Sequence, residues 1–164
     1  MEMKEKVKGR EDLHKILKNL KAKGKRIVFT NGCFDLLHIG HIRYLEEAKA
    51  LGDVLVVGIN SDPSVRSLKG PHRPILPVEE RAEILSALGC VDYVILFDET
   101  NPLELISLLM PHILVKGGDW TQETTIGNEV VERSGGKVVI LPLIKGASTS
   151  EVIEMILKRY EKRT

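Results

Sequence analysis

The chain has 164 residues, with 24 Lys and Arg against 23 Asp and Glu. That length suits one domain with a full hydrophobic core rather than two, and the nearly cancelling charge leaves no electrostatic footprint for a nucleic-acid partner. The two cysteines, Cys33 and Cys90, form no C-x-x-C pair, which argues against a disulfide framework and for a reducing compartment.

The start of the chain is polar (Glu2, Lys4, Glu5, Lys6), with no apolar signal region, and no run reaches membrane-spanning length. A cytoplasmic protein without a membrane partner is therefore expected. Over 12–20, Leu13, Ile16, Leu17 and Leu20 share one helical face and Gly24 follows as a stop. Residues 1–24 thus read as a helical lead-in and 25–160 as an α/β core, together one domain over 1–164. Apolar runs of strand length follow at 26–30, 54–59, 91–97, 113–116 and 137–141. Helix-like stretches lie between and after them, near 41–51, 79–88, 102–110, 126–134 and 149–160. Such alternation predicts a Rossmann-like, doubly wound parallel sheet of about five strands with helices on both faces, and a ligand crevice beyond the carboxyl ends of the strands.

The polar motifs fall at those ends. After the first strand come Thr30-Asn31-Gly32-Cys33-Phe34-Asp35 and then His38-Ile39-Gly40-His41, at the mouth of a helix. Helix amides there are unpaired and the dipole favours anions, so a polyphosphate can dock while two imidazoles reach its oxygens. Two other readings stay open on the residues alone. The histidine pair could be half of a metal site, although His14, His72 and His112 show no ligand spacing with either cysteine. Cys33 could be a nucleophile with His38 as its base, although no third orienting group is apparent.

The second strand exits into Asn60-Ser61-Asp62 and then a segment with Arg66, Lys69, His72 and Arg73 that its Gly and Pro residues mark as a loop. Lys69 is a flexible point charge suited to a mobile triphosphate, whereas Arg66 or Arg73 could grip an acceptor phosphate in a fork. In the next helix, Ile84, Leu85 and Leu88 are expected to face the core and Arg81 lies on the first turn. Lys116 then leads into Gly117-Gly118-Asp119-Trp120, where paired glycines let backbone approach a ligand and the sole tryptophan can stack on a base. Before the last helix, Ser148 and Glu151 have capping-box spacing, and Ser148-Thr149-Ser150 offers hydroxyls and free amides to phosphate. There is no G-x-G-x-x-G after the first strand and no P-loop, so a nicotinamide dehydrogenase or P-loop enzyme is not indicated.

Together these motifs, from about 25 to 157, resemble the HIGH-superfamily, cytidylyltransferase-like nucleotidyltransferases. The class I aminoacyl-tRNA synthetases share the HIGH signature but add a KMSKS-type loop and far longer chains. Within the superfamily the segments 30–38, 68–70, 73–74, 114–119 and 146–150 look most like the D-glycero-β-D-manno-heptose 1-phosphate adenylyltransferases. A sugar kinase is fused to that activity in some bacteria; here the activity is expected to stand alone, in 164 residues. One departure is Asn128 in Thr125-Ile126-Gly127-Asn128-Glu129, where related chains carry a small residue.

The resemblance implies AMP transfer from ATP to a heptose 1-phosphate, with release of pyrophosphate and no covalent enzyme intermediate. It implies catalytic roles for His38, His41, Lys69 and Arg81. Nucleotide contacts are implied for Thr30, Asn31, Gly32, Cys33, Phe34, Lys116, Gly117, Asp119, Ser148, Thr149 and Ser150, and acceptor contacts for Asp35, Asn60, Asp62, Arg66, Arg73 and Trp120. Mg2+ is expected to enter with ATP, with no residue assigned to it. A homodimer is expected, the lead-in helix supplying part of the contact. Rival readings are a cytidylyltransferase for glycerol 3-phosphate or ethanolamine phosphate, an FAD synthetase, or a nucleotide-binding regulatory module without turnover.

Overall fold

Five short apolar runs become the strands β1 (Ile27–Gly32), β2 (Val54–Asn60), β3 (Tyr93–Phe97), β4 (Ile113–Gly117) and β5 (Lys137–Leu141). The computed structural model describes residues 3–118 and 120–161. All five strands are parallel, in the order β3-β2-β1-β4-β5. The helices are α1 (Met3–Lys6), α2 (Arg10–Ala22), α3 (Ile39–Ala50), α4 (Asp62–Lys69), α5 (Val78–Ala87), α6 (Leu103–Leu109), α7 (Asn128–Arg133) and α8 (Thr149–Tyr160). None is long and apolar enough to cross a membrane, among the described residues.

Continuous apolar strands are buried on both faces, and two clusters show it. Ile27, Phe29, Val54, Val56 and Leu114 pack with Leu13 and Leu17 of α2, Leu105, Ile106 and Leu109 of α6, and Val131 of α7. Val28, Leu55, Val57, Ile59 and Val115 pack with Leu45 and Ala48 of α3 and with Val78, Ala82 and Leu85 of α5. Neighbouring strand residues alternate between the clusters, as the two-residue period of a strand requires.

The topology sets where the crevice opens. The chain winds outward from β1 through β2 to β3, then returns to β4 on the other side of β1, a switch point at β1. β1 pairs with β2 along its whole length, from Ile27 opposite Val54 to Gly32 opposite Ile59. It pairs with β4 only at Val28 and Phe29. The two central strands therefore part at Thr30, where the polar motif begins.

Three local expectations are corrected. The basic segment after β2 is not a loop throughout, because 62–69 is helix α4, with Pro in its first turn and Ser64 and Val65 buried. Proline lacks only an N–H that the first turn leaves unpaired, so it starts this helix rather than breaking it. In α5 the core face is Val78, Arg81, Ala82 and Leu85, while Ile84 is exposed. The apolar face of α2 is not free for a subunit contact either, since Leu13 and Leu17 are buried in the chain's own core. That helix is also pinned at both ends. Arg10 grips both carboxylate oxygens of Glu99 at 2.6 Å, and Lys21 donates to the carbonyls of Leu109 and Met110 at 2.7 Å.

Leu17→Ala should therefore lower the unfolding free energy by about 2–5 kcal/mol, the cost of a large-to-small core change. Urea denaturation measures it, and a loss below about 0.5 kcal/mol, the size of a surface substitution, would remove α2 from the core.

Candidate active site

The carboxyl ends of the strands surround one cavity of about 700 Å3, a size usual for a small-molecule site. The exit of β1 contributes Asn31 to Asp35, the exit of β2 Asn60, and the segment after β3 Thr100, Asn101 and Pro102. The exit of β4 contributes Lys116, Gly117 and Trp120, and the segment after β5 Leu143 and Ile144. The starts of α3 and α8 close the rim with His38, His41, Ser148, Thr149 and Ser150, and the region around the end of α4 with Leu68, Lys69 and Arg73.

At the start of α3, His38 is the N-cap. Its Nδ1 accepts a hydrogen bond from the Gly40 amide at 3.1 Å, so a neutral His38 ring carries its proton on Nε2. Glycine at 40 is what permits this closeness, since a Cβ there would lie 2.9 Å from the His38 ring and 3.0 Å from the Ala147 carbonyl oxygen. One turn on, the His41 ring stacks on His38 with centroids 3.8 Å apart and 30° between planes, and the Phe34 ring lies 5.4 Å from it. Burial first, and then the neighbouring His38, pull His41 down to about 4. Burial also lowers His38, against the attraction of Glu151. Both imidazoles are therefore neutral at neutral pH and offer hydrogen bonds rather than charge. The buried Nδ1 of His41 has no partner among the described residues.

Charge comes from elsewhere. Lys69 is the last residue of α4, exposed at the rim, with Gly70 in the left-handed region at φ 98° ending the helix. Lys116 is buried, donates to the Asn31 side-chain oxygen and lies 5.7 Å from the centre of the Trp120 ring. Burial lowers Lys116 to about 8, so it is mostly charged at neutral pH. At the other helix mouth, the Ser148 hydroxyl accepts from the Glu151 amide at 3.2 Å, which is the cap half of the expected box.

Several expected site residues do not reach the cavity with a free group. Arg81 is 1% exposed. Its Nε donates to the Leu76 carbonyl at 2.9 Å, and its terminal nitrogens to Cys33 O at 2.5 Å, Asn60 O at 3.0 Å and Asp62 Oδ1 at 2.6 Å. The guanidinium is thus occupied by backbone that has just left β1 and β2, and by Asp62, which is consumed in turn. Thr30 is buried with its hydroxyl 2.7 Å from the Tyr44 hydroxyl, and Arg66 is exposed on α4 away from the lining. Asp35 lines the cavity, but its carboxylate is buried and accepts from Arg73, Ile75 and Leu76. Asp119 lies outside the described residues. Asn128 opens α7 and is not among the cavity residues, whereas its neighbour Ile126 is. Cys33 lines the cavity with its thiol pushed up by burial, partly offset by Lys69, the opposite of what a thiolate nucleophile needs.

Sequence reasoning missed Tyr44, the 100–102 segment and the apolar wall of Ile126, Leu143 and Ile144. Position just after a strand end could have marked 100–102, Leu143 and Ile144, whereas nothing local marks Tyr44, inside α3, or Ile126. Among the described residues no group of three or more His, Cys, Asp or Glu could hold a metal ion.

A family model described as cytidylyltransferase-like matches residues 29–155. The bifunctional protein HldE of Syntrophotalea carbinolica is 55% identical over 162 residues, which is 99% of this chain and 33% of that protein. This chain thus spans about a third of the length of the curated relatives it matches. A lipopolysaccharide core biosynthesis protein of Thermoplasma volcanium, solved by crystallography, is 34% identical with a TM-score of 0.59, covering 74% of this chain and 98% of that one. A pantoate-beta-alanine ligase of Francisella tularensis, at 18% identity and a TM-score of 0.60 over 94% of this chain and 77% of its own, shares the fold.

Two outcomes test this geometry. Arg81→Ala should lower stability by about 3–5 kcal/mol, as when one partner of a buried ion pair is removed. Full stability with lost nucleotide binding would return Arg81 to the site. In an NMR titration the His41 ring should have its midpoint near 4 rather than at the ordinary 6.5. Because the unfolded ring binds its proton first, stability present above about 6.5 is lost as pH falls toward 4. A midpoint near the ordinary value would show His41 charged or solvated.

Proposed function

The chain belongs to the cytidylyltransferase-like family, and we propose that it transfers AMP from ATP to D-glycero-β-D-manno-heptose 1-phosphate, giving ADP-heptose and pyrophosphate. The observation that carries the transfer chemistry is the stacked, neutral His38–His41 pair, set where β1 and β4 part. Heptose 1-phosphate is favoured by the resemblance of segments 30–38, 68–70, 73–74, 114–119 and 146–150, and the 55% identity to a bifunctional HldE protein supports it. In this reading residues 1–164 act as one nucleotidyltransferase unit in the cytoplasm.

An oxygen of the sugar phosphate attacks the α-phosphorus of ATP, the new O–P bond forms, and the bond to the β-phosphate oxygen breaks to release pyrophosphate. A phosphate monoester is largely dianionic at neutral pH, so it needs no general base. Catalysis is then alignment plus neutralisation of the oxygens that gain charge. The Nε2–H of His38 and the ring N–H of His41 donate to phosphoryl oxygens, Lys69 and Lys116 supply positive charge, and the free amides at the start of α8, with the Ser148 and Ser150 hydroxyls, hold the triphosphate. Trp120 with Ile126, Leu143 and Ile144 offers an apolar wall to the base. ATP is taken as its magnesium complex, in which the ion belongs to the substrate, and no step runs through a protein-held metal. The half-exposed Met155, Ile156 and Leu157 of α8, which buries none of its residues, support a homodimer.

Incubating the chain with magnesium and each of ATP, GTP and CTP against heptose 1-phosphate, glycerol 3-phosphate and FMN, with pyrophosphate release as the readout, tests the proposal. Release with ATP and the heptose alone is expected, and release only with another pair would overturn the substrate assignment. His41→Ala should then lower kcat by on the order of a hundredfold with the fold intact, as for loss of one transition-state donor. An unchanged rate would remove His41 from the chemistry.

A further inference from the structure

Asp35 lies in an unusual piece of backbone. Its neighbours Phe34 and Leu36 both adopt left-handed conformations, at φ 45° and 50°, without being glycine, and each such residue costs on the order of 1 kcal/mol. Contacts around Asp35 offset that cost. One carboxylate oxygen accepts from Arg73 Nε and from the Ile75 amide, both at 2.7 Å, and the other accepts from the Leu76 amide at 3.1 Å. Its own carbonyl accepts from the Thr149 hydroxyl at 2.6 Å. Burial alone would raise the carboxyl, but the two amides and Arg73 hold it below the ordinary carboxylate value, so it stays ionised. With its side chain 0% exposed, Asp35 presents nothing to a ligand directly.

Arg73 is the group that this arrangement serves. Its Nε is taken by Asp35, its side chain is 15% exposed, and it lines the cavity. Its two terminal nitrogens make no hydrogen bond with any described residue. Strand order also gives the cavity two sides. The exits of β4 and β5 bring Trp120, Leu143 and Ile144 to one side of β1, an apolar surface suited to a base with the buried Lys116 beside it. The exit of β2 and the end of α4 bring Lys69 and Arg73 to the other. The histidines, at the start of α3 just after β1, lie between the two. A nucleotide seated on the apolar half would leave its α-phosphate at the histidines, so an acceptor phosphate must arrive from the cationic half to attack in line.

We propose that Asp35 is a positioning residue: its buried carboxylate holds Arg73 by Nε, so that the two terminal nitrogens form a fixed fork for the phosphate of the acceptor. The fork rests on the nucleotidyltransferase reading for its role, yet it is a binding site that can be measured without turnover. A planar guanidinium held at one edge presents paired donors matched to a terminal phosphate, which a lysine cannot reproduce.

Quenching of Trp120, the only tryptophan, reports binding of ATP and of two probe phosphomonoesters, heptose 1-phosphate and glucose 1-phosphate, with circular dichroism checking the fold of each variant. Asp35→Asn and Arg73→Lys should each weaken binding of the tighter-binding monoester by about tenfold or more, the scale of a charge-assisted contact, and ATP binding by less than about threefold. The double variant should bind no worse than the weaker single one, since both changes break the same unit. If Asp35→Asn fails to fold, Asp35→Glu, which keeps the charge but moves it by one methylene, should give the same acceptor-selective loss. Equal weakening of both ligands, additive losses in the double variant, or Arg73→Lys binding the monoester as the wild type does would each overturn the proposal, as would a wild-type chain that binds neither monoester. Pyrophosphate release by the wild-type chain is read separately, so its absence would reject the transfer reaction while the binding series still decides the fork.

Discussion

Parallel strands that end side by side leave backbone carbonyls without partners, and the buried guanidinium of Arg81 meets that constraint here. It joins the backbone beyond β1, at Cys33, to the end of β2, at Asn60, and adds the Leu76 carbonyl and the Asp62 carboxylate. A buried arginine is costly unless its donors are met, and these four acceptors fix the exits of β1 and β2 and the entry to α4 relative to one another. Asp35 extends the same scaffold to Arg73 and, through Thr149, to the start of α8. The cavity walls are thus held by Arg81, Asp62 and Asp35, charges that do not themselves reach the ligand.

That division of labour explains the electrostatics of the site. The two imidazoles at the start of α3 are close-packed and neutral, stacked on each other with the Phe34 ring beside His41. Positive charge is kept to the sides, on Lys69, Arg73 and Lys116, and the helix starts add oriented amides. Preorganised donors of this kind need no rearrangement when charge builds on a phosphoryl oxygen, which is how such sites lower barriers. A direct displacement suits them, since it asks the protein for alignment and not for a nucleophile.

Much of this was legible in the sequence, for identifiable reasons. Continuous apolar runs carried the strands, because a parallel sheet covered on both faces leaves no polar alternation. His38, Gly40 and His41 carried the helix mouth, because capping is local. What was not legible depends on contacts distant in the chain. Arg81, on the first turn of a helix, was read as a phosphate contact, and only the meeting of β1, β2 and α5 shows its burial. Asp35 was assigned to the acceptor by its place in the motif after β1, whereas the fold turns its carboxylate toward 73–76. The α4 segment read as a loop since Gly, Pro and charge usually punctuate, and its buried pair Ser64 and Val65 is too short a pattern to announce a helix. The wall after β3 and β5 carries no motif, only position.

The direct displacement itself is tested by the stereochemistry of transfer. ATP chiral at the α-phosphorus through one sulfur should yield a sugar nucleotide with that centre inverted, as a single in-line attack by the acceptor phosphate requires. Retention would mean two displacements through an enzyme-bound nucleotide, on Cys33 or a histidine, and would contradict the account.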